Sequence, residues 1–315
     1  MTLQQMAFDV LSLGVPFSVA LLMAALGEMF NQRAGVFNLG CEGIMSMGAF
    51  VGFLPAFLAR SGALGPWADL LGFVLAAAVG ALLGLLFGLV TVTFRAPQGI
   101  AGIGLAMLGT GVAGTLFRHH IGGVTGVEGV AALPIPFLSR IPFLGGVLFN
   151  HNPVVYLAFL LVPASWYVLY RTPWGLRVRA VGTHPRAADT MGIDVNRVRY
   201  QALLVGGAMG GMGGAYLALC QAKMFADDLV AGRGFIAVAL VYFGRWNPWG
   251  IAGGALLFSL AQSLQLSIQV WGIKFPYEFA VMLPYVLVIV VLALARSRTL
   301  GPTALGKAFD REMRI

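Results

Sequence analysis

Between Asp69 and Arg95 the chain runs through leucine, alanine, glycine, valine, threonine and phenylalanine without one charged side chain. A helix of about 20 apolar residues is what crosses the hydrocarbon core of a bilayer. Inside that core every backbone N–H and C=O must be satisfied within the segment, so the run dictates a membrane helix. The same rule along the whole sequence gives nine segments, approximately 10–30, 41–59, 69–94, 99–117, 152–170, 200–219, 233–244, 250–269 and 277–295. The seventh is too short to span as a regular helix and reads as a broken or re-entrant element. Irregular backbone of that kind survives only where protein or a water-filled cavity surrounds it. The first two segments flank a Gly/Asn-rich stretch. The expected fold is an all-α polytopic integral membrane protein of about 8–10 transmembrane helices, with residues 1–315 forming a single transmembrane domain.

Composition agrees with lipid as the main solvent: 59% of residues are hydrophobic and 10% charged, against about 45–50% and about 25% in soluble domains. The net charge of +8 reads as the positive-inside bias of membrane proteins rather than a nucleic-acid signal. With the loop of about 171–199 placed inside, fourteen of the twenty basic residues are cytoplasmic and six are outside. The tail of about 296–315 is then cytoplasmic, and nine spans put the N-terminus outside. Met1 to Val10 hold no Lys or Arg, so they lack the positive region of a secretory signal. Cys41 and Cys220 both sit in apolar runs without metal-ligand spacing, and no disulfide is expected between them.

The 118–151 stretch is the longest external loop, with Pro134, Pro136 and Pro142 among apolar residues and Pro153 just beyond. It fits a segment lying along the interface or a docking surface for an external partner. His119 and His120 lie there, and as neighbours they point to different faces of any helix. Glycines recur every fourth residue at Gly80, Gly84 and Gly88 and at Gly206, Gly210 and Gly214. That spacing lets helix backbones approach closely, within the chain or at a subunit interface. Arg95-Ala-Pro-Gln-Gly-Ile-Ala-Gly102 and Arg245-Trp-Asn-Pro-Trp-Gly-Ile-Ala-Gly253 form a faint internal echo.

No H-E-x-x-H, G-x-S-x-G or C-x-x-C pattern is present. Gly301-Pro-Thr-Ala-Leu-Gly-Lys307-Ala308 nearly matches a phosphate-binding loop. However, Ala308 lacks the hydroxyl needed for Mg²⁺, no strand precedes it and no substantial helix follows. It reads as a solvated basic tail. Polar residues do cluster elsewhere: Glu28, Asn31, Arg33, Asn38 and Glu42 lie beside or inside apolar spans. A charge at a helix centre costs about 2.5–3.5 kcal/mol on insertion scales. Asn31, Asn38 and Glu42 are therefore candidates for a polar solute path. The competing structural reading pairs Arg33 with a glutamate to hold a broken helix.

In the 171–199 loop, Pro185 suits the first turn of a short helix of roughly 185–191, with Thr183 as a possible cap. Gly192 suits its end. Ala187 and Ala188 are small enough to enter a groove on another protein; the alternative is a basic membrane anchor.

The run Gly175-Leu-Arg-Val-Arg179-Ala-Val-Gly-Thr-His-Pro185-Arg-Ala187-Ala188, followed by Met-Gly192-Ile193-Asp-Val, resembles the coupling loop of ABC importer permeases. The branch is that of simple sugars, nucleosides and branched-chain amino acids. Arg33-Ala-Gly-Val-Phe-Asn-Leu-Gly-Cys-Glu-Gly-Ile-Met is similar to the early motif of nucleoside-type permeases. The run from Gly234 to Arg245-Trp-Asn-Pro-Trp-Gly and the tail Ala304-Leu-Gly-Lys with Arg311-Glu312 are similar to that branch too. Cys41 and His184 depart from its pattern without removing a needed chemical group.

The resemblance implies a type II importer-like permease with a cytoplasmic coupling helix, working beside a second, related permease in a heterodimer. Cytoplasmic ABC ATPase subunits would use ATP and Mg, this chain binding no cofactor or metal of its own, and an external solute-binding lipoprotein would deliver a nucleoside, a purine base or a simple sugar. The location implied is the bacterial inner membrane. Two other classes stay in view. A secondary transporter would place ionisable residues deep in its spans, and here the acids sit mostly near span ends. An intramembrane enzyme would need a nucleophile or metal site that the sequence does not offer.

Overall fold

The computed structural model describes residues 2–59, 67–123, 126–136, 139, 141–272, scattered residues between 276 and 293, and 301–310. Helices follow one another as α1 (Leu3–Arg33), α2 (Cys41–Ala59), α3 (Ala68–Gly88), α4 (Gln98–His120), α5 (Leu144–Leu148), α6 (Pro153–Arg171), α7 (Pro173–Thr183), α8 (Pro185–Thr190), α9 (Val195–Tyr216), α10 (Arg233–Phe243) and α11 (Pro248–Val270). α3 and α9 each continue into one π-helical turn, Leu89–Thr93 and Leu217–Gln221. Among the described residues seven helices are long and apolar enough to cross a membrane: α1, α2, α3, α4, α6, α9 and α11. The seventh sequence segment is the short α10. The ninth, 277–295, lies largely outside the described residues, as do Arg60, Arg140, Lys274, Arg296, Arg298 and Arg311 to Arg314.

α9 is the hub, packed against α1, α2 and α3. It offers two glycine faces. Gly207 and Gly211 meet α3, where a Cβ added to Gly80 would strike the Gly207 carbonyl and one on Gly84 the Leu203 carbonyl. Gly88 faces the Tyr200 ring. On the other face Gly206 touches Asn31 of α1, while Gly210 and Gly214 meet Ile44 and Met45 of α2. Both stripes therefore close against helices of the same chain. Small residues allow this approach, which maximises dispersion contact where lipid offers no hydrophobic gradient between helices.

Pro-initiated helices punctuate the chain. Asn152 caps α6 through the Val155 N–H, Thr172 caps α7 through the Gly175 N–H, and Asn247 accepts from Trp249 at the start of α11. Each is followed by proline, whose missing N–H costs nothing at a first turn. The echoed sequences share a conformation as well. Arg95 and Arg245 both take left-handed backbone, at φ 57° and 54°, just before α4 and α11.

Two local expectations change. His119 and His120 occupy the last turn of α4 rather than a loop. The tail is not simply solvated: the Ala304 N–H bonds the Gly182 carbonyl, the Gly306 N–H bonds the Gly35 carbonyl, and Ala304 is buried. The Thr303 hydroxyl donates to the Thr183 carbonyl and Arg95 pairs with Asp310, strapping 301–310 beneath α7 and the chain reversal after α1.

Candidate functional site

α1 ends at Arg33, and the chain turns back along it as non-helical backbone before α2 starts at Cys41. Glu28 fixes this reversal. Its carboxylate accepts from Asn31 Nδ2 at 2.8 Å, from Gln32 Nε2 at 3.3 Å and from the Asn38 N–H at 3.1 Å. Gln32 in turn accepts from the Trp246 indole at 2.9 Å, and Asn38 Oδ1 caps the Gly40 N–H at 2.9 Å. All four polar residues are buried. Because buried donors left unmade are costly, the network fixes where α2 begins, beside the interior of α1 rather than beyond its end.

Arg33 does not pair with a glutamate. Its Nε and Nη2 donate to the Trp246 carbonyl, at 3.1 and 2.8 Å, and Nη2 also reaches the Tyr170 hydroxyl. The reason is direction: Glu28 faces the returning non-helical segment, whereas Arg33 lies at the helix end where α6 and the α10–α11 turn meet it.

Glu42, in the first turn of α2, has a different task. Its Oε1 accepts from the Gly232 N–H and its Oε2 from the Gly234 N–H, both at 2.7 Å. Gly232, at φ 81°, is the cap residue of α10 and has no side chain with which to satisfy the orphan donors there. Glu42 supplies the cap from another helix, and its charge suits the positive end of the α10 dipole. Such an interior helix start is the broken element expected at 233–244.

Beside this contact lies a cavity of about 420 Å³ lined by Glu42, Ser46, Thr110, Phe225, Asp228 and Ala231, among others. The Arg118–Asp227 ion pair, solvent-exposed at one end of α4, also borders it. Of the three candidate path residues Glu42 alone lines this cavity. Asn31 and Asn38 belong to the Glu28 network, and Asn31 faces Gly206 of α9. Sequence reading missed Thr110 and the backbone of Gly232 and Gly234. A glycine just ahead of an apolar run, Gly232 before Arg233, hinted at a helix start but not at its partner Glu42.

At the opposite end of the bundle, α7 and α8 form an angled pair. α8 covers Pro185–Thr190, and Gly192 closes it at φ 81° with its N–H on the Asp189 carbonyl. Thr183 does not cap it: its hydroxyl bonds back to the Arg179 and Ala180 carbonyls within α7, and His184 takes the cap position. Ala187 is exposed, but Ala188 is buried against the chain's own core and cannot enter another protein's groove. Gly175 sits against the Val168 and Leu169 carbonyls, Arg179 stacks on the Tyr170 ring at 5.1 Å, and Ile193 packs against the core.

The model of a family described as the branched-chain amino acid transport system / permease component matches residues 10–292. The guanosine ABC transporter permease NupQ of Bacillus subtilis is 38% identical over 97% of this chain and 99% of its own length. The nucleoside ABC transporter permease NupC of Lactococcus lactis is 37% identical over 92% of this chain and 93% of its own. A provisionally assigned glucose ABC transporter permease of Haloferax volcanii, TsgC13, is 35% identical over 98% and 99%.

Proposed function

The chain belongs to the branched-chain amino acid transport permease family, and from that premise we propose that it is the permease of an ATP-driven importer of nucleosides or purine bases. It is a multi-pass transporter subunit and not an enzyme. The cavity beside Glu42 is the observation that carries the solute path. At about 420 Å³ it falls within the range of about 300–1,000 Å³ typical of small-molecule sites. Its lining combines the Glu42 and Asp228 carboxylates, the Arg118–Asp227 ion pair, the Ser46 and Thr110 hydroxyls and the Phe225 ring. That set disfavours an anion and suits a ligand with a flat aromatic face and several hydrogen-bonding groups.

Asn31 and Asn38 support this path indirectly, by holding the start of α2. A second, homologous permease would cover the exposed face of α4, where Ile100, Ile103 and Met107 project from the chain. ATP and Mg would be used by cytoplasmic ATPase subunits docked at α8, with Ala187 and Gly192 nearest the contact, and an external lipoprotein would deliver solute in the bacterial inner membrane. Closure of the ATPase pair moves α8, and α7 passes that motion to the ends of α1 and α6, so that the cavity changes the side it faces.

Reconstitution of the complete complex in proteoliposomes tests the reading. ATP-dependent uptake of labelled guanosine, unaffected by excess glucose, is the expected result. Uptake of glucose with no nucleoside uptake would assign the chain to simple sugars.

A further inference from the structure

Arg199, in the second turn of α9, is 1% exposed, and its Nε has no hydrogen-bond partner among the described residues. It takes no part in the Arg95–Asp310 or the Arg118–Asp227 ion pair. A guanidinium buried without a counter-charge is strongly unfavourable, so a protein that keeps one normally supplies an anion. Arg199 lines a cavity of about 570 Å³ between α8 and the 301–310 strap. Lys307 of the strap, together with His184 and Arg186 at the start of α8, lines the same space. The one carboxylate on its wall, Asp310, is engaged by Arg95 at 2.6 Å.

We propose that this cavity binds a phosphate-type oxyanion, gripped by the Arg199 fork and the Lys307 ammonium. Arg offers paired planar donors and Lys a compact charge, a combination that suits a phosphate with two or more acceptor oxygens. The size fits a small ligand. Backbone amides take no part in the grip, because the Gly306 and Lys307 N–H groups already bond the Gly35 and Ala304 carbonyls. The phosphate could come from an anionic lipid headgroup or from a soluble phosphate. Either way the ligand touches α9, the strap and the start of α8 together, and so ties the tail to the segment that faces the ATPase. The site is independent of which solute the permease carries.

The full-length chain in phosphatidylcholine nanodiscs is titrated with radiolabelled inorganic phosphate. In a parallel arm phosphatidylglycerol is added without phosphate, and lipid retained by the protein is read by native mass spectrometry. Saturable binding in one arm is expected and identifies the source. Arg199→Gln and Lys307→Ala should each weaken it by about tenfold or more. Lys307 is exposed, so its variant carries the test if Arg199→Gln does not fold. Binding in neither arm, or binding that no folded variant weakens, overturns the proposal. So does a third result, in which neither arm binds and Arg199→Gln instead releases the partner ATPase, giving the pocket to an acidic side chain of that subunit.

Discussion

The Glu42 carboxylate receives the Gly234 N–H at 2.7 Å across 192 residues of sequence. One side chain of α2 thereby serves as the N-terminal cap of α10 and as a wall of the cavity. Replacing it with glutamine keeps one acceptor but sets an amide NH2 against the other N–H, orphaning that donor at about 1–3 kcal/mol, and removes the charge facing the helix dipole. Alanine removes the cap altogether. Solute uptake and thermal stability in detergent should fall in both variants, more in Glu42→Ala, which strands both N–H groups, than in Glu42→Gln, which strands one. If Glu42→Gln and Asn38→Ala both transport normally, the polar cluster serves the fold alone.

Glu28 should behave as a structural residue. Glu28→Leu strands the Asn31 and Gln32 amides and the Asn38 N–H, at about 1–3 kcal/mol for each buried group left unmade. The expected outcome is loss of folded protein in fluorescence-detected size exclusion. Folded Glu28→Leu that binds solute normally would contradict this role.

At α8 the two alanines separate folding from docking. Ala187→Trp, on the exposed side, should leave the permease folded and monodisperse while abolishing co-purification of the ATPase. Ala188→Trp should destabilise the permease itself, by about 1–3 kcal/mol, because it overfills a buried site. Gly192→Val forces a branched side chain into left-handed backbone, costing about 1–2 kcal/mol, and should reduce uptake more than assembly. Normal uptake by an intact Ala187→Trp complex would remove α8 from coupling.

Gly80→Leu should part α3 from α9, because its side chain would meet the Gly207 carbonyl rather than a flexible neighbour. Overpacking of this kind costs about 1–3 kcal/mol and should lower the melting temperature of the purified chain. The same substitution at Gly104, beside which nothing lies within 4 Å, should leave the isolated chain unchanged.

Much of this was legible where the signal is local. Pro185 and Gly192 bracket α8 in sequence as they do in space, and apolar runs marked the spans. α7 went unread because its arginines suggested a loop, although Thr172-Pro173 carries the same cap-and-proline signature as Asn152-Pro153. The glycine stripe at Gly206, Gly210 and Gly214 was visible, but not that Gly207 and Gly211 form a second face, since the period of one helix says nothing of how many neighbours it has. Long-range backbone contacts left no trace at all. Nothing near Glu42 announces Gly232, and nothing near Ala304 announces Gly182.

The cap that α2 lends to α10 also bears on how the chain is assembled. α10 has eleven residues, about half the length that crosses a bilayer unaided, and it begins with donors that it cannot satisfy. Synthesis delivers Glu42 long before Gly232, so the acceptor stands ready when the short helix leaves the ribosome. Without that carboxylate the insertion machinery would hold a segment too short to release into lipid, and Glu42→Ala chains should be recovered with membrane quality-control proteases rather than as misrouted transporters.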